Sequence, residues 1–187
     1  RRIYNKEYFM FTSFIAFLMV EMTALSMFRR DKELLSAKQT KASIYLMFIL
    51  IHCAMCLLGY ALGTLVKLIA PISTLSVILS SVIYIIVAAV YIRLAVKNNQ
   101  MPVPKSINTT VVALQATLSG IYLLPVGVSS SLAEVYIIYM LVLSLALPAV
   151  IVYLGLGKYE IKIKMNTILL AVLTILSSVL DWIMSIV

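Results

Sequence analysis

The stretch "ASIYLMFILIHCAMCLLGYALGTLV", residues 42–66, decides the fold. It runs 25 residues without a Lys, Arg, Asp or Glu. About 20 consecutive apolar residues are enough to cross the hydrocarbon of a bilayer as a helix. Its hydrophobicity is continuous, not alternating residue by residue, which excludes a β-barrel strand.

Working outward, five more segments of the same kind appear: Tyr8–Phe28, Ser73–Ala95, Thr110–Ser129, Leu132–Leu156 and Met165–Val187. Over the 187 residues, 63% are hydrophobic and 12% charged, with a mean hydropathy of +1.09. A soluble domain is closer to half apolar and a quarter charged. The expected fold is therefore all-α, a membrane bundle of six transmembrane helices in a single domain. The first apolar stretch is followed by no signal-peptide cleavage site and reads as a span. The chain begins Arg1-Arg2 without a Met, so an initiator or longer leader is expected to precede it.

The net charge of +8 does not describe a nucleic-acid patch, because the basic residues sit in short loops between the spans. Eleven of them (Arg29, Arg30, Lys32, Lys38, Lys41, Arg93, Lys97, Lys105, Lys158, Lys162 and Lys164) follow the first, third and fifth spans. Four (Arg1, Arg2, Lys6 and Lys67) fall on the other side. The positive-inside rule then predicts cytoplasmic loops at 29–41, 96–109 and 157–165, both termini outside, and the plasma membrane as the host.

"KNNQMPVPKS", residues 97–106, is the one extended linker, with two prolines and no helical pattern. It divides the chain into a half at 1–96, a linker at 97–109 and a half at 110–187. Three spans per half give the halves opposite polarity. Inverted repeats of this kind recur in transporters, with the substrate near mid-membrane at their interface. Ser131-Leu-Ala-Glu134 reads as a capping box opening the fifth helix. Ser73, Asn108-Thr109 and Asn166-Thr167 read as caps of the third, fourth and sixth.

Ionisable residues inside a span are costly and are candidates for function. Glu21 lies thirteen residues beyond Tyr8, about 20 Å along a helix. It is expected to face the bundle interior as a proton carrier or cation ligand, or else as a hydrogen-bonded structural carboxyl. Asp181 sits beside Trp182, and tryptophan favours the interface, so Asp181 is expected near the outer headgroups. His52 and Cys56 share a helix face, as do Cys53 and Cys56. Imidazole and thiolate suit soft or borderline metals, and Glu21 with His52 could hold one. A closed zinc site, however, wants four ligands, and the chain has one His and two Cys. Buried packing of the thiols is the simpler reading. In the fourth span, Pro125 removes a donor and frees the carbonyl of Ile121, which is either a bare kink or an ion-facing break. Pro148 does the same to Ser144 in the fifth span. Gly59-x-x-x-Gly63 reads as a close-packing motif. No Gly-rich phosphate loop, H-E-x-x-H, Ser-His-Asp set or haem-ligand pair is present, so no cofactor is expected and nothing points to catalysis.

Six spans, an acidic residue in the first and a Gly-rich end to the second resemble the LysE superfamily of small transporters, its manganese-efflux branch above all. "EMTALSM", residues 21–27, is similar to that branch's acidic first-span motif, with Glu21 in the acidic position. "LLPVGVS", residues 123–129, is similar to its fourth-span run, where the acidic position falls on Tyr122. The resemblance implies a cation path; Tyr122 in place of a second carboxylate weighs against manganese, since hard divalent ions want several oxygen ligands.

The expected function is proton-coupled secondary transport of a small cation or polar solute, along a path formed by Glu21, His52, Cys56, Tyr122 and Pro125. The expected partners are the lipid bilayer, the solute and a second copy or other membrane subunits, with no nucleic acid. Two alternatives are a non-catalytic membrane subunit of a respiratory or secretion complex and a thiol-redox protein using Cys53 and Cys56.

Overall fold

A computed structural model describes residues 2–30, 41–69, 73–97, 109–156 and 162–186. The described residues form seven helices and no strand: α1 Arg2–Arg30, α2 Lys41–Ile69, α3 Ser73–Lys97, α4 Thr109–Gly120, α5 Leu123–Leu132, α6 Ile137–Leu156 and α7 Ile163–Ile186. Five of them are long and apolar enough to cross a membrane, and α4 with α5, bent by 41°, makes a sixth if the pair crosses as one. The chain is an integral membrane protein, all-helical in its membrane spans among the described residues. The linker at 98–108 and the loops at 31–40 and 157–161 lie outside the described residues.

The first span is the axis of the bundle. Within its apolar window 67% of α1 is buried, against 28–33% for the other long helices. It packs on α3, α4, α5, α6 and α7. Around it, α2 lies on α4, α5 and α6, while α3 lies on α5 and α7. The outer faces of α2 and α6 expose Leu46, Leu50, Leu58, Leu62, Ile138, Val142 and Leu145. Contiguous oil of that extent is unstable against water and at home against lipid tails.

The tightest seam runs between α2 and α5. A Cβ on Gly59 would overlap the Leu124 carbonyl, one on Gly63 would stand 2.6 Å from the Val128 carbonyl oxygen, and one on Gly127 would overlap the Cys56 carbonyl. In a bilayer, helices associate through close backbone contact because lipid is as apolar as Leu. The expected packing role of Gly59 and Gly63 thus takes a definite form: their partner is α5, with Gly127 answering from the other side.

Local expectations fared unevenly. Pro125 occupies the third position of α5, in the first turn, where a missing N–H costs no helical bond. The break falls before it, at Ile121–Tyr122. The Ile121 carbonyl is not left bare, for it accepts from the Leu124 N–H at 3.3 Å. The reading of Ser131–Glu134 as a box opening a helix is wrong. Ser131 closes α5, and Glu134 takes a positive φ of 59°. The Glu134 N–H reaches the Ser131 carbonyl and the Val135 N–H the Ser130 carbonyl, each at 3.0 Å. This pair of bonds is a Schellman terminator with a non-glycine at its left-handed position. The fifth span consequently starts at Ile137, not Leu132. Asn166-Thr167 does not cap α7 either; the helix begins at Ile163, and the Thr167 hydroxyl donates to the Ile163 carbonyl at 2.9 Å.

Candidate functional site

Glu21 belongs to the buried stripe of α1, together with Phe17, Val20, Ala24 and Leu25, and is fully buried. On α2 the residues Phe48, His52 and Cys56 recur every fourth position, so they share a face, and all three are fully buried. The two faces meet through a single bond: His52 Nδ1 lies 2.6 Å from Glu21 Oε1. The other ring nitrogen, Nε2, lies 3.0 Å from Ser119 Oγ at the end of α4. Phe48 supports the imidazole from the preceding turn, its ring centroid 4.0 Å away at a 42° tilt. The fourth side of the ring is closed by Gly120, where a Cβ would come within 2.9 Å of His52 Cδ2.

The hydrogen bonds fix the proton inventory. The Ser119 hydroxyl donates to the Ala116 carbonyl at 3.1 Å, so its oxygen accepts from His52 Nε2–H. A proton shared between Nδ1 and Oε1, held on nitrogen, makes an imidazolium–carboxylate pair; held on oxygen, a neutral imidazole and a carboxylic acid. Both forms have zero net charge, which suits the low-dielectric surroundings. The second oxygen, Glu21 Oε2, is buried and has no hydrogen-bond partner.

Beside this pair, Tyr91 of α3 is buried and within electrostatic reach of Glu21. Its hydroxyl has no formed hydrogen bond, although the Thr23 side chain is nearby. Its ring meets that of Tyr122 edge-on, with centroids 5.2 Å apart. Tyr122 itself sits at the bend between α4 and α5.

A second polar cluster lies further along the same helices. Ser13 of α1, Tyr84 of α3 and Ser130 of α5 form a closed triangle of hydroxyls, with sides of 2.6, 2.8 and 3.0 Å. Ser13 and Ser130 donate to the carbonyls of Phe9 and Val126, four residues back on their own helices. Their oxygens are then acceptors, and Tyr84 is the donor between them. Next to it, Ser80 and Ser129 donate to each other's carbonyls, at 2.9 and 2.6 Å.

Of the residues singled out by sequence, Glu21 and His52 are thus in direct contact. Cys56 is one turn from His52 and buried in the apolar core; Cys53 lies 3.3 Å from Ser144 Oγ on α6. Both thiols are free and buried, which withholds them from the solvent access that redox chemistry needs. Among the described residues no three of His, Cys, Asp and Glu converge as metal ligands, and both imidazole nitrogens are already engaged. Pro125 is half-buried and touches the site only through the bend it follows. Asp181, expected near the outer headgroups, lies five residues before the end of α7. It is buried, and its Oδ2 accepts from the Thr12 hydroxyl at 2.7 Å.

Sequence reasoning missed Ser119, Gly120, Tyr91 and the hydroxyl triangle. One signal was present in α3, where Ser80, Tyr84 and Tyr91 fall on one face of an otherwise oily helix. No family model, curated protein or solved structure matches the chain.

Proposed function

We propose that the protein is a secondary transporter of a small cation or polar solute, coupled to protons through the Glu21–His52 pair. One observation carries the reading: two titratable groups, both fully buried, stand 2.6 Å apart, with an unpaired carboxyl oxygen at their side. Buried polar groups are hydrogen-bonded in the great majority of cases, and an acceptor left open beside a titratable pair is suited to receive a proton or a solute. The pair can release its proton when a wet passage opens and retake it when the passage closes.

The packing supports two halves of opposite polarity. Exchange of the first span with the fourth, the second with the fifth and the third with the sixth returns most helix contacts. The α1–α6 contact exchanges with α2–α4 and α2–α5, and α1–α7 with α3–α5. The contacts α2–α6, α3–α7 and α1 with α4 and α5 map onto themselves. The smaller contacts α1–α3 and α5–α6 have no counterpart among the main helix contacts. Such a pseudo-twofold suits rocking of one half against the other about a fixed site. The charge asymmetry of the loops favours an orientation with the Glu21 end of the bundle toward the cytoplasm.

The test is proton flux in proteoliposomes carrying an internal pH-sensitive dye, with a panel of cations and polar solutes outside. Glu21→Gln is expected to abolish solute-driven flux while the unfolding temperature stays near that of the wild type. Full flux from this variant removes the proposed role. Stoichiometric co-purification with unrelated membrane chains, with no flux under any gradient, would instead mark the protein as a subunit of a complex.

A further inference from the structure

The two polar clusters are kept apart by an apolar layer, in register on three helices. On α1, eight residues separate Ser13 from Glu21, about 12 Å of rise; Ala16, Phe17 and Val20 lie between. On α3, Val87 and Ala88 lie between Tyr84 and Tyr91. On α5, Val126 lies between Ser130 and Leu123. All six of these interposed side chains, with Leu123, belong to one buried hydrophobic core. On these three helices no hydroxyl lies between the two clusters; the buried Ser178 and Thr174 of α7 each donate to a carbonyl of their own helix, so they pass no proton from one cluster to the other.

On the far side of this septum lies a second buried carboxyl, which the Glu21–His52 pair does not use. Asp181 of α7 has one bond, from Thr12. Thr12 precedes Ser13, the α1 member of the hydroxyl triangle, and Asp181 is within electrostatic reach of Tyr84. Two elements pack on α7, namely α1 and α3. On α1, the nearest titratable residues in sequence are Tyr8, Glu7 and Lys6, of which Tyr8 and Glu7 are exposed. On α3, the titratable group in reach is Tyr84. The cations Arg93 and Lys97 of α3 and Lys164 of α7 stand toward the opposite end, at least nine residues, about 13 Å, from Tyr84 or Asp181. Asp181 is therefore a buried acid with a neutral hydroxyl partner and no close cation to hold it ionised.

We propose that Asp181, with Thr12 and the Ser13–Tyr84–Ser130 hydroxyls, is a second proton-binding site, separated by the apolar septum from the Glu21–His52 pair. Its ligand is the proton, taken from the outer side, where α1 begins and α7 ends. The carboxylate accepts it, and the Tyr84 hydroxyl and its two serine acceptors form the polar lining that receives the proton or a water carrying it. This rests on the transporter reading and deepens it: each carboxyl serves one side of the membrane, and the septum stops protons leaking between them at rest.

Infrared difference spectroscopy of the purified protein in lipid nanodiscs, titrated with pH, reads both sites. The wild type is expected to show two protonatable buried carboxyl bands. Asp181→Asn removes one band and leaves the midpoint of the other unchanged. Glu21→Gln does the reverse. Thr12→Val, which keeps the carboxyl and the packing volume, is expected to move the midpoint of the Asp181 band alone, and so tests the site even if Asp181→Asn fails to fold. The inference is overturned if no band responds to either the Asp181 or the Thr12 substitution, or if both bands shift together in each variant. In those cases a surviving Glu21 band leaves the transporter reading intact. Loss of pH response at Glu21 as well removes that reading too.

Discussion

The Cα of Gly120 faces the edge of the His52 ring so closely that a methyl group there would stand 2.9 Å from Cδ2. The imidazole is therefore held in place by a residue with no side chain, and a missing atom on α4 positions a bond between α1 and α2. Gly120→Ala is expected to push the ring off Glu21 Oε1 or Ser119 Oγ. Overpacking of this kind costs about 1–3 kcal/mol. The unfolding temperature in detergent should fall, and proton-coupled flux should be lost even in the folded fraction. Unaltered flux would show that the ring has room to spare.

His52→Ala breaks the same bond from the other side. It leaves Glu21 buried with neither oxygen paired and opens a cavity beside Phe48. Removing one partner of a buried pair is destabilising by about 3–5 kcal/mol. Glu21→Gln, by contrast, can still donate an N–H to Nδ1 and is expected to cost about 1 kcal/mol. A clear difference between the two variants in thermal unfolding checks this; equal losses would mean the bond is not maintained in the folded protein.

At the glycine seam, Gly59→Ala and Gly127→Ala each drive a methyl group into backbone on the opposing helix. Backbone yields less readily than a flexible side chain. Each substitution is expected to cost about 3 kcal/mol, the upper end for overpacking, and to lower the yield of monodisperse protein. Ala61→Gly on the exposed face of α2 is the control, and should lose only the helix-propensity difference of about 1 kcal/mol.

Tyr84→Phe removes the only hydroxyl of the triangle that donates between helices. Ser13 and Ser130 keep their own carbonyl partners, so no donor is stranded. The expected loss is about 1 kcal/mol, the net value of one buried hydrogen bond, measurable by denaturation in mixed micelles. A loss of several kcal/mol would show that the triangle is a structural keystone.

The spans were legible from the first apolar run, because continuous oil in stretches of about 20 residues admits few other structures. Glu21 and His52 were legible as well, since ionisable groups in such runs are rare. Their contact was not. It depends on how α1 and α2 are rotated about their axes, and helices with oil on every side carry little amphipathic signal to set that rotation. The serines were invisible for a related reason, as a hydroxyl can always fall back on its own helix, as Ser13, Ser119 and Ser130 do. Ser131–Glu134 misled because its spacing satisfies a local rule, while the Ser131 hydroxyl is within 2.9 Å of Thr64 on α2 and Glu134 takes the turn. Trp182 marked a depth for Asp181 but not a direction, because neighbours in a helix point about 100° apart. One can greet the lipid while the next turns inward.

The seam of Gly59, Gly63 and Gly127 leaves α2 and α5 with no compressible padding between them. Two rods joined backbone to backbone form a single beam; α4 meets it at the bend at Ile121–Tyr122 and along α2, where Ser119 bonds His52. For the transport proposed above, that elbow is a natural pivot and the flank of α1 that carries Glu21 a natural sliding surface. His52 belongs to the beam and its carboxyl partner to α1, so a stroke between them would part the two groups.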